Sequence, residues 1–212
     1  MSSQSKPLPM LAAARRFLII LLLMTSTLPI LAATTPEKYK FCVVCHGSHF
    51  QGNASTDAPN LSILTPWYIE LALMGYKYQT RGGLEADAIG REMQPMVSTL
   101  GANEILEVAA FIGALDDQAV RPTVTGNISR GKRLYESCAT CHGADGLGNE
   151  MLRAPRLVGQ FDWYLIRQLK AYLQNLRGVS KRDPYGTQMR GAVQTLPDAS
   201  AVTDVVAYIN TL

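Results

Sequence analysis

Apolar residues recur at helical spacing through most of the chain. Glu104–Leu115 carries Ile105, Val108, Ala109, Ile112 and Leu115 on one face. Ala201–Leu212 does the same with Val202, Val205, Val206, Ile209 and Leu212, and Trp163–Leu176 with Leu165, Ile166, Leu169, Leu173 and Leu176. No segment alternates with the period of two that marks a half-buried strand. The pattern predicts an all-α protein. One stretch stands apart from it. Phe17–Met24 is unbroken apolar sequence, preceded by Arg15-Arg16 and followed by a small-residue exit at Ala32-Ala33. A basic start, a short apolar core and small residues at the end make a secretory signal peptide over residues 1–33. The alternative is an uncleaved N-terminal anchor. Phe17–Ala33 is broken by Thr, Ser and Pro and falls short of the about 20 apolar residues that a spanning helix needs.

The pattern repeats at an offset of 96 residues. Cys42 falls on Cys138, Cys45 on Cys141, His46 on His142, Gly52-Asn53 on Gly148-Asn149, and Ala58-Pro59 on Ala154-Pro155. Trp67-Tyr68 falls on Trp163-Tyr164, Tyr76 on Tyr172, Arg81-Gly82 on Arg177-Gly178, and Met93 on Met189. Two copies imply a duplicated domain rather than a solenoid, which needs about three or more repeats. Asp116–Thr125 breaks the pattern with Asp116-Asp117 and Pro122 and reads as the linker. The domains are therefore placed at 34–117 and 118–212. Each runs as a helix ending in the cysteines, a loop, a middle helix, a second loop bearing the methionine, and a C-terminal helix.

Charge changes the picture in two ways. Lys6, Arg15 and Arg16 are the only charges before Glu37, so the rest of the chain carries 17 basic and 17 acidic residues. Nucleic-acid binding, which wants a clear basic excess, loses its compositional support. The balance is also uneven. Residues 33–117 hold five basic and ten acidic residues, and residues 118–212 hold twelve and seven. The two halves differ by ten charges, enough for a dipole that steers encounter with a partner.

The chemistry lies in Cys42-Val43-Val44-Cys45-His46 and Cys138-Ala139-Thr140-Cys141-His142. Both are C-x-x-C-H, the attachment motif of c-type haem. Two thiols one helical turn apart each bond a haem vinyl carbon, and the next histidine meets the iron. These motifs use all four cysteines and two of the three histidines. A thioredoxin-like pair would want a βαβ setting. A zinc site would want the two cysteine pairs brought together. A plain disulfide would not need the histidine. Covalent haem at Cys42, Cys45, Cys138 and Cys141, with His46 and His142 as axial ligands, explains every element of the motif. The second axial ligand follows from the repeat. Met93 aligns with Met189, each seven residues before a Leu that leads into the C-terminal helix, whereas Met96 aligns with Ala192. A thioether opposite histidine raises the haem potential. Met74 and Met151 have no counterpart and read as packing, and His49 reads as a surface loop residue. The carbonyls of Pro59 and Pro155 are candidates to orient the histidines. Trp67, Tyr68, Trp163 and Tyr164 are candidates to wall the haems or donate to their propionates.

On these residues the chain resembles the dihaem cytochrome c4 family, tandem class I cytochromes c. The second copy matches best, with Gly131 seven residues before Cys138, then Ala154-Pro155, Tyr164-Leu165, Gln168-Leu169, Met189 and Tyr208. The resemblance implies that Gly131 packs against Tyr208. The first copy departs from it: Thr35 stands in the place of Gly131, Ala72 in that of Gln168, and Ser48-His49-Phe50-Gln51 in that of Ala144-Asp145-Gly146-Leu147. The resemblance implies periplasmic, single-electron transfer between redox protein partners, a terminal oxidase among the candidate acceptors, with no catalytic residue. Two rival readings are a dihaem enzyme, peroxidase-like or thiosulfate-oxidising, and a cytochrome subunit of a membrane-bound respiratory complex.

Overall fold

A computed structural model describes residues 35–212. The predicted leader, with its cleavage point or anchor, lies outside the described residues. Pro36–Leu212 form one compact unit. The first copy contains a 3₁₀ turn at Glu37–Tyr39, α1 (Lys40–His46), α2 (Pro66–Lys77), α3 (Ala88–Arg91), α4 (Met93–Ser98) and α5 (Ala102–Gly113). The second contains α6 (Ile128–His142), α7 (Asp162–Leu173), α8 (Pro184–Val193) and α9 (Ala199–Ile209). Among the described residues the only β-type pairings are isolated bridges, Asn53 with Ala58 and Asn149 with Ala154, at equivalent places in the two copies. The fold is all-α, two tandem cytochrome c-like domains.

Helix ends follow local chemistry that apolar periodicity does not contain. The C-terminal helices start about two residues before the periodic stretch. The Gly101 N–H donates to the Glu104 carboxylate at 2.8 Å, and the Asp198 carboxylate accepts from the Ala201 N–H at 3.0 Å. Both methionine segments are helical, where loops are predicted. Asp87 accepts from the Gly90 N–H at 3.0 Å and Asp183 from the Gly186 N–H at 2.8 Å, and Pro184 opens α8. An aspartate cap followed by proline at the first helical position is a helix start. Met189 therefore lies inside α8, whereas Met93 is the first residue of α4, which follows the capped α3 and has no side-chain cap of its own.

The C-terminal helices bury their predicted apolar faces except at the ends, where Leu115 lies past α5 and is half-buried and Leu212 lies past α9 and is 39% exposed. Val202, Val205, Val206 and Ile209 are within 5% of complete burial, as are Ile105, Val108 and Ile112. At about 1.5–3 kcal/mol for each fully buried aliphatic side chain, these faces dominate the cohesion of each copy. The N-terminal helices differ. In the second copy α6 is 15 residues long and crosses α9 at Gly131, which lies against Asp204 and Tyr208. In the first copy α1 has seven residues, preceded by a single 3₁₀ turn. Phe50 fills part of the difference. Its ring is completely buried and meets Phe111 edge-on at 6.0 Å, beside Tyr39. The equivalent Gly146 leaves that space to Val158, Leu212 and Tyr135. Phe50 holds a left-handed backbone, φ 55°, to place its ring there. That conformation is costly for a bulky residue, and full burial of the ring offsets the cost.

The two copies are bound across a polar seam. Asn60 and Gln160 exchange hydrogen bonds at 2.9 and 2.8 Å, both buried. The Asn60 amide also donates to the carbonyls of Gln118 and Gly159. Asp162, 2% exposed, accepts from the Val124 N–H at 2.8 Å and the Thr123 hydroxyl at 2.9 Å, which ties the linker to α7. Those donors outweigh desolvation and hold the Asp162 carboxyl below its usual range. Arg167 pairs with Asp57 at 2.9 Å and Arg156 with Asp117 at 2.6 Å. Part of the charge asymmetry is thus complementary between the halves, in partly exposed pairs that each contribute little to stability.

Candidate haem sites

α1 and α6 each deliver Cys-x-x-Cys-His on their last turns, and Gly47 and Gly143 end them with φ near +80°. No disulfide joins any of the four cysteines. His46 and His142 are buried, 6% and 5% exposed. His46 Nδ1 donates to the Pro59 carbonyl at 3.1 Å, and His142 Nδ1 to the Pro155 carbonyl at 2.8 Å. A carbonyl only accepts, so Nδ1 carries the proton and Nε2 keeps its lone pair for a metal. Burial, opposed in part by that hydrogen bond, lowers both histidine pKa values and favours neutral imidazole. Burial also pushes the Cys42 thiol up to about 11 and raises that of Cys138. A reactive redox thiol needs the opposite shift. Among the described residues no three His, Cys, Asp or Glu side chains gather as a metal-ion site, so the cysteine pairs do not converge as zinc would require.

Each motif opens into its own large cavity. The first, about 800 Å³, is lined by Cys42, Cys45, His46, Met93 and Met96 among others. The second, about 520 Å³, is lined by Cys138, Cys141, His142 and Met189, with Ala192 in the place of Met96. Both fall in the size range of cofactor pockets. Each cavity is walled partly by the middle helix of the other copy. α7 contributes Tyr164 and Gln168 to the first, and α2 contributes Tyr68 and Met74 to the second. Tyr68 and Tyr164 line both cavities, Trp163 lines the first, and Trp67 lines neither. Met151 does not pack at all: it is 93% exposed. His49 lies on the surface as predicted.

The residues fit a covalently bound haem. In each cavity a cysteine pair outside any disulfide stands beside an anchored imidazole with one uncommitted nitrogen, over largely apolar walls. The buried Trp163 indole N–H has no partner and lines the first cavity, so a group bearing an acceptor suits it. Periodicity missed the basic side chains between the cavities. Arg81 and Arg177 are a matched pair in the repeat. Arg81 donates to the Tyr164 hydroxyl at 2.7 Å, and Arg177 to Tyr68 at 3.2 Å. The conserved offset of Arg-Gly between copies was the available signal.

Comparison with known proteins agrees with this reading. Residues 128–212 match the Cytochrome c family. The chain is 34% identical over 80 residues to cytochrome c-554(548) of Halomonas halodenitrificans, covering 38% of this chain and 90% of that one. It is 29% identical to cytochrome c4 of Azotobacter vinelandii, over 69% of this chain and 74% of that one. It is 30% identical to the cbb3-type oxidase subunit FixP of Sinorhizobium medicae, over 61% of this chain but only 46% of that subunit's length. Two solved structures share the fold. Cytochrome c4 from Pseudomonas stutzeri matches at TM-score 0.67 and 23% identity, covering 82% of this chain and 95% of that one. Acidithiobacillus ferrooxidans cytochrome c4 matches at 0.65 and 26%, covering 81% and 98%. The chain belongs to the cytochrome c family, on its dihaem, cytochrome c4-like branch. It carries covalently bound haem c and serves electron transfer.

Proposed function

We propose that the chain is an exported, periplasmic carrier of single electrons with two His/Met-ligated haems, His46 with Met93 and His142 with Met189, in domains spanning 34–117 and 118–212. The observation that carries this reading is that each cavity brings one cysteine pair, one carbonyl-anchored histidine and the repeat-matched methionine into a single lining. Haem supplies an iron that alternates between ferric and ferrous states. The chain's own residues fix that chemistry: Pro59 and Pro155 orient the imidazoles, the thioethers favour the reduced state, and apolar walls keep water away. Ligation of each iron by one His and one Met would leave no position for a substrate, which separates a carrier from a dihaem enzyme. The native protein is therefore expected not to bind carbon monoxide or cyanide, and rapid binding at either haem would favour the enzyme. Met93→Ala is expected to lower the first haem's potential and admit carbon monoxide, while Met96→Ala leaves both unchanged. The reverse result would move ligation to Met96.

The partners are redox proteins, a donor and an acceptor, with no nucleic acid. FixP's name ties that relative to a cbb3-type oxidase, and this supports a terminal oxidase as acceptor. Membrane association would come through such a partner or an uncleaved leader. Among the described residues no single helix is long and apolar enough to cross a membrane. The mass of the mature N-terminus decides between leader and anchor. The basic second domain is read as docking on an acidic surface. Association with the acceptor is expected to slow as salt rises through about 0.1 M, where the Debye length is about 10 Å. Exposed Lys181 is the clean reversal to test, because Arg182 donates to the Tyr78 carbonyl at 2.9 Å across the seam. Lys181→Glu should slow the on-rate at low salt, and an on-rate indifferent to both salt and Lys181 would remove the docking role.

A further inference from the structure

Arg81 and Arg177 sit between the two cavities with no carboxylate within reach. Arg81 is 7% exposed and Arg177 is half-buried. Arg81 donates to Tyr164 at 2.7 Å and Gln168 Oε1 at 3.2 Å. Arg177 donates to the same Gln168 Oε1 at 2.6 Å and to Tyr68 at 3.2 Å. Each guanidinium also lies over a tyrosine of its own copy, Tyr76 or Tyr172, at 4.7 Å. Every arginine–carboxylate pair among the described residues involves Arg130, Arg156 or Arg167 instead. Two cations thus share one neutral amide oxygen in a buried seam. An uncompensated buried ion costs several kcal/mol, and two like charges on one acceptor add repulsion. The arrangement is complete only with anions. Arg81 lines both cavities, Arg177 lines the second, and the cavities hold the haems, whose propionates are carboxylates.

Resting on the reading of one haem per cavity, we propose that Arg81 and Arg177 form one carboxylate-binding pair shared by the propionates of both haems. Each arginine thereby sets the potential of the haem in the other copy as well as its own. The cross-domain hydrogen bonds make this more than local neutralisation. Arg81 rests on Tyr164 and Gln168 of the second copy, and Arg177 on Tyr68 of the first. Removing one guanidinium leaves carboxylate charge unbalanced beside both irons. Negative charge opposes gain of an electron, so both potentials fall.

The test is a redox titration of both haems in the full-length holoprotein. Arg81→Gln is expected to shift each haem's one-electron equilibrium toward the oxidised form at least tenfold, about 59 mV. Arg81→Lys, which keeps the charge, should recover most of the shift. A shift confined to the first haem, or none, overturns the shared pair. If Arg81→Gln does not accumulate as holoprotein, Tyr164→Phe removes only the hydroxyl under Arg81. It should lower both potentials at least twofold in equilibrium constant, and a one-haem effect overturns the proposal equally. Exchanging chloride for phosphate at fixed ionic strength should leave the wild-type potentials in place. Potentials that follow the anion would mean that the pair holds a solution ion instead. Covalent haem content and the methionine–iron charge-transfer band report the underlying ligation separately. Unmoved potentials with both intact count against the arginine pair alone, whereas their absence from the wild type removes the haem reading beneath it.

Discussion

Met189→Ala is expected to lower the potential of the second haem by tenths of a volt while the first stays close to its wild-type value. Axial ligand identity spans about 0.8 V across haem proteins, and loss of a neutral thioether removes the donor that favours ferrous iron. Met189 lines the second cavity and not the first, so the effect is confined. Alanine also leaves a gap where the thioether lay, and the iron should then bind carbon monoxide. Met189 is half-buried inside α8, so packing loss should stay at the low end of the about 2–5 kcal/mol typical of Met→Ala in a core. Met151→Ala is the control: at 93% exposure it should move neither potential nor stability. Titration of both haems, with carbon monoxide difference spectra, checks the set. Unchanged potentials and no ligand binding in Met189→Ala would leave Met189 as packing, and the repeat would no longer assign the axial pair.

The fold and the haem motifs were legible in the sequence because both are written locally. A helical face is a spacing of three and four, and C-x-x-C-H is five consecutive residues. The duplication then carried information across the chain, from His46–Pro59 to His142–Pro155, where the structure has hydrogen bonds of 3.1 and 2.8 Å. What stayed hidden is set by contacts between distant residues. The helical state of the second methionine segment turned on Asp183 as a cap, and Asp87 caps the short helix that leads into the first, a cue that apolar periodicity passes over. Met151 looked like packing because methionine is apolar, but nothing folds over that loop. The charge asymmetry looked like a docking dipole, and only the fold places Asp57 against Arg167 and Asp117 against Arg156. Arg81 and Arg177 stood in the repeat without a role, since their meaning depends on two cavities meeting at one seam.

Gly131→Val is expected to destabilise the second domain by about 3 kcal/mol, the upper part of the range for overpacking. A Cβ placed at Gly131 would overlap the carbonyl of Asp204, 2.7 Å from its carbon, and come within 2.9 Å of Tyr208 Cβ. The obstacle is helix backbone, which no rotamer change can move. α6 and α9 would have to separate, and the separation would disturb what surrounds their crossing. Asp204 accepts from the Asn127 N–H at 2.8 Å and from Arg130 at 2.9 Å, and the Tyr135 and Tyr208 rings meet at 5.5 Å. The same helix ends in Cys138, Cys141 and His142, so its displacement should also reduce haem attachment during maturation. Thr35 tolerates a side chain at the corresponding place in the first copy because the longer helix is missing there: the first helical turn begins at Glu37. Gly191→Ala supplies the contrast. It lies in α8 with nothing within 4 Å of a new Cβ, so the helix should gain up to about 1 kcal/mol from alanine's greater propensity. Denaturant unfolding with an unchanged slope reads both differences as stability. A Gly131→Val protein that unfolds at the wild-type midpoint would mean that α6 and α9 do not cross at this distance in solution.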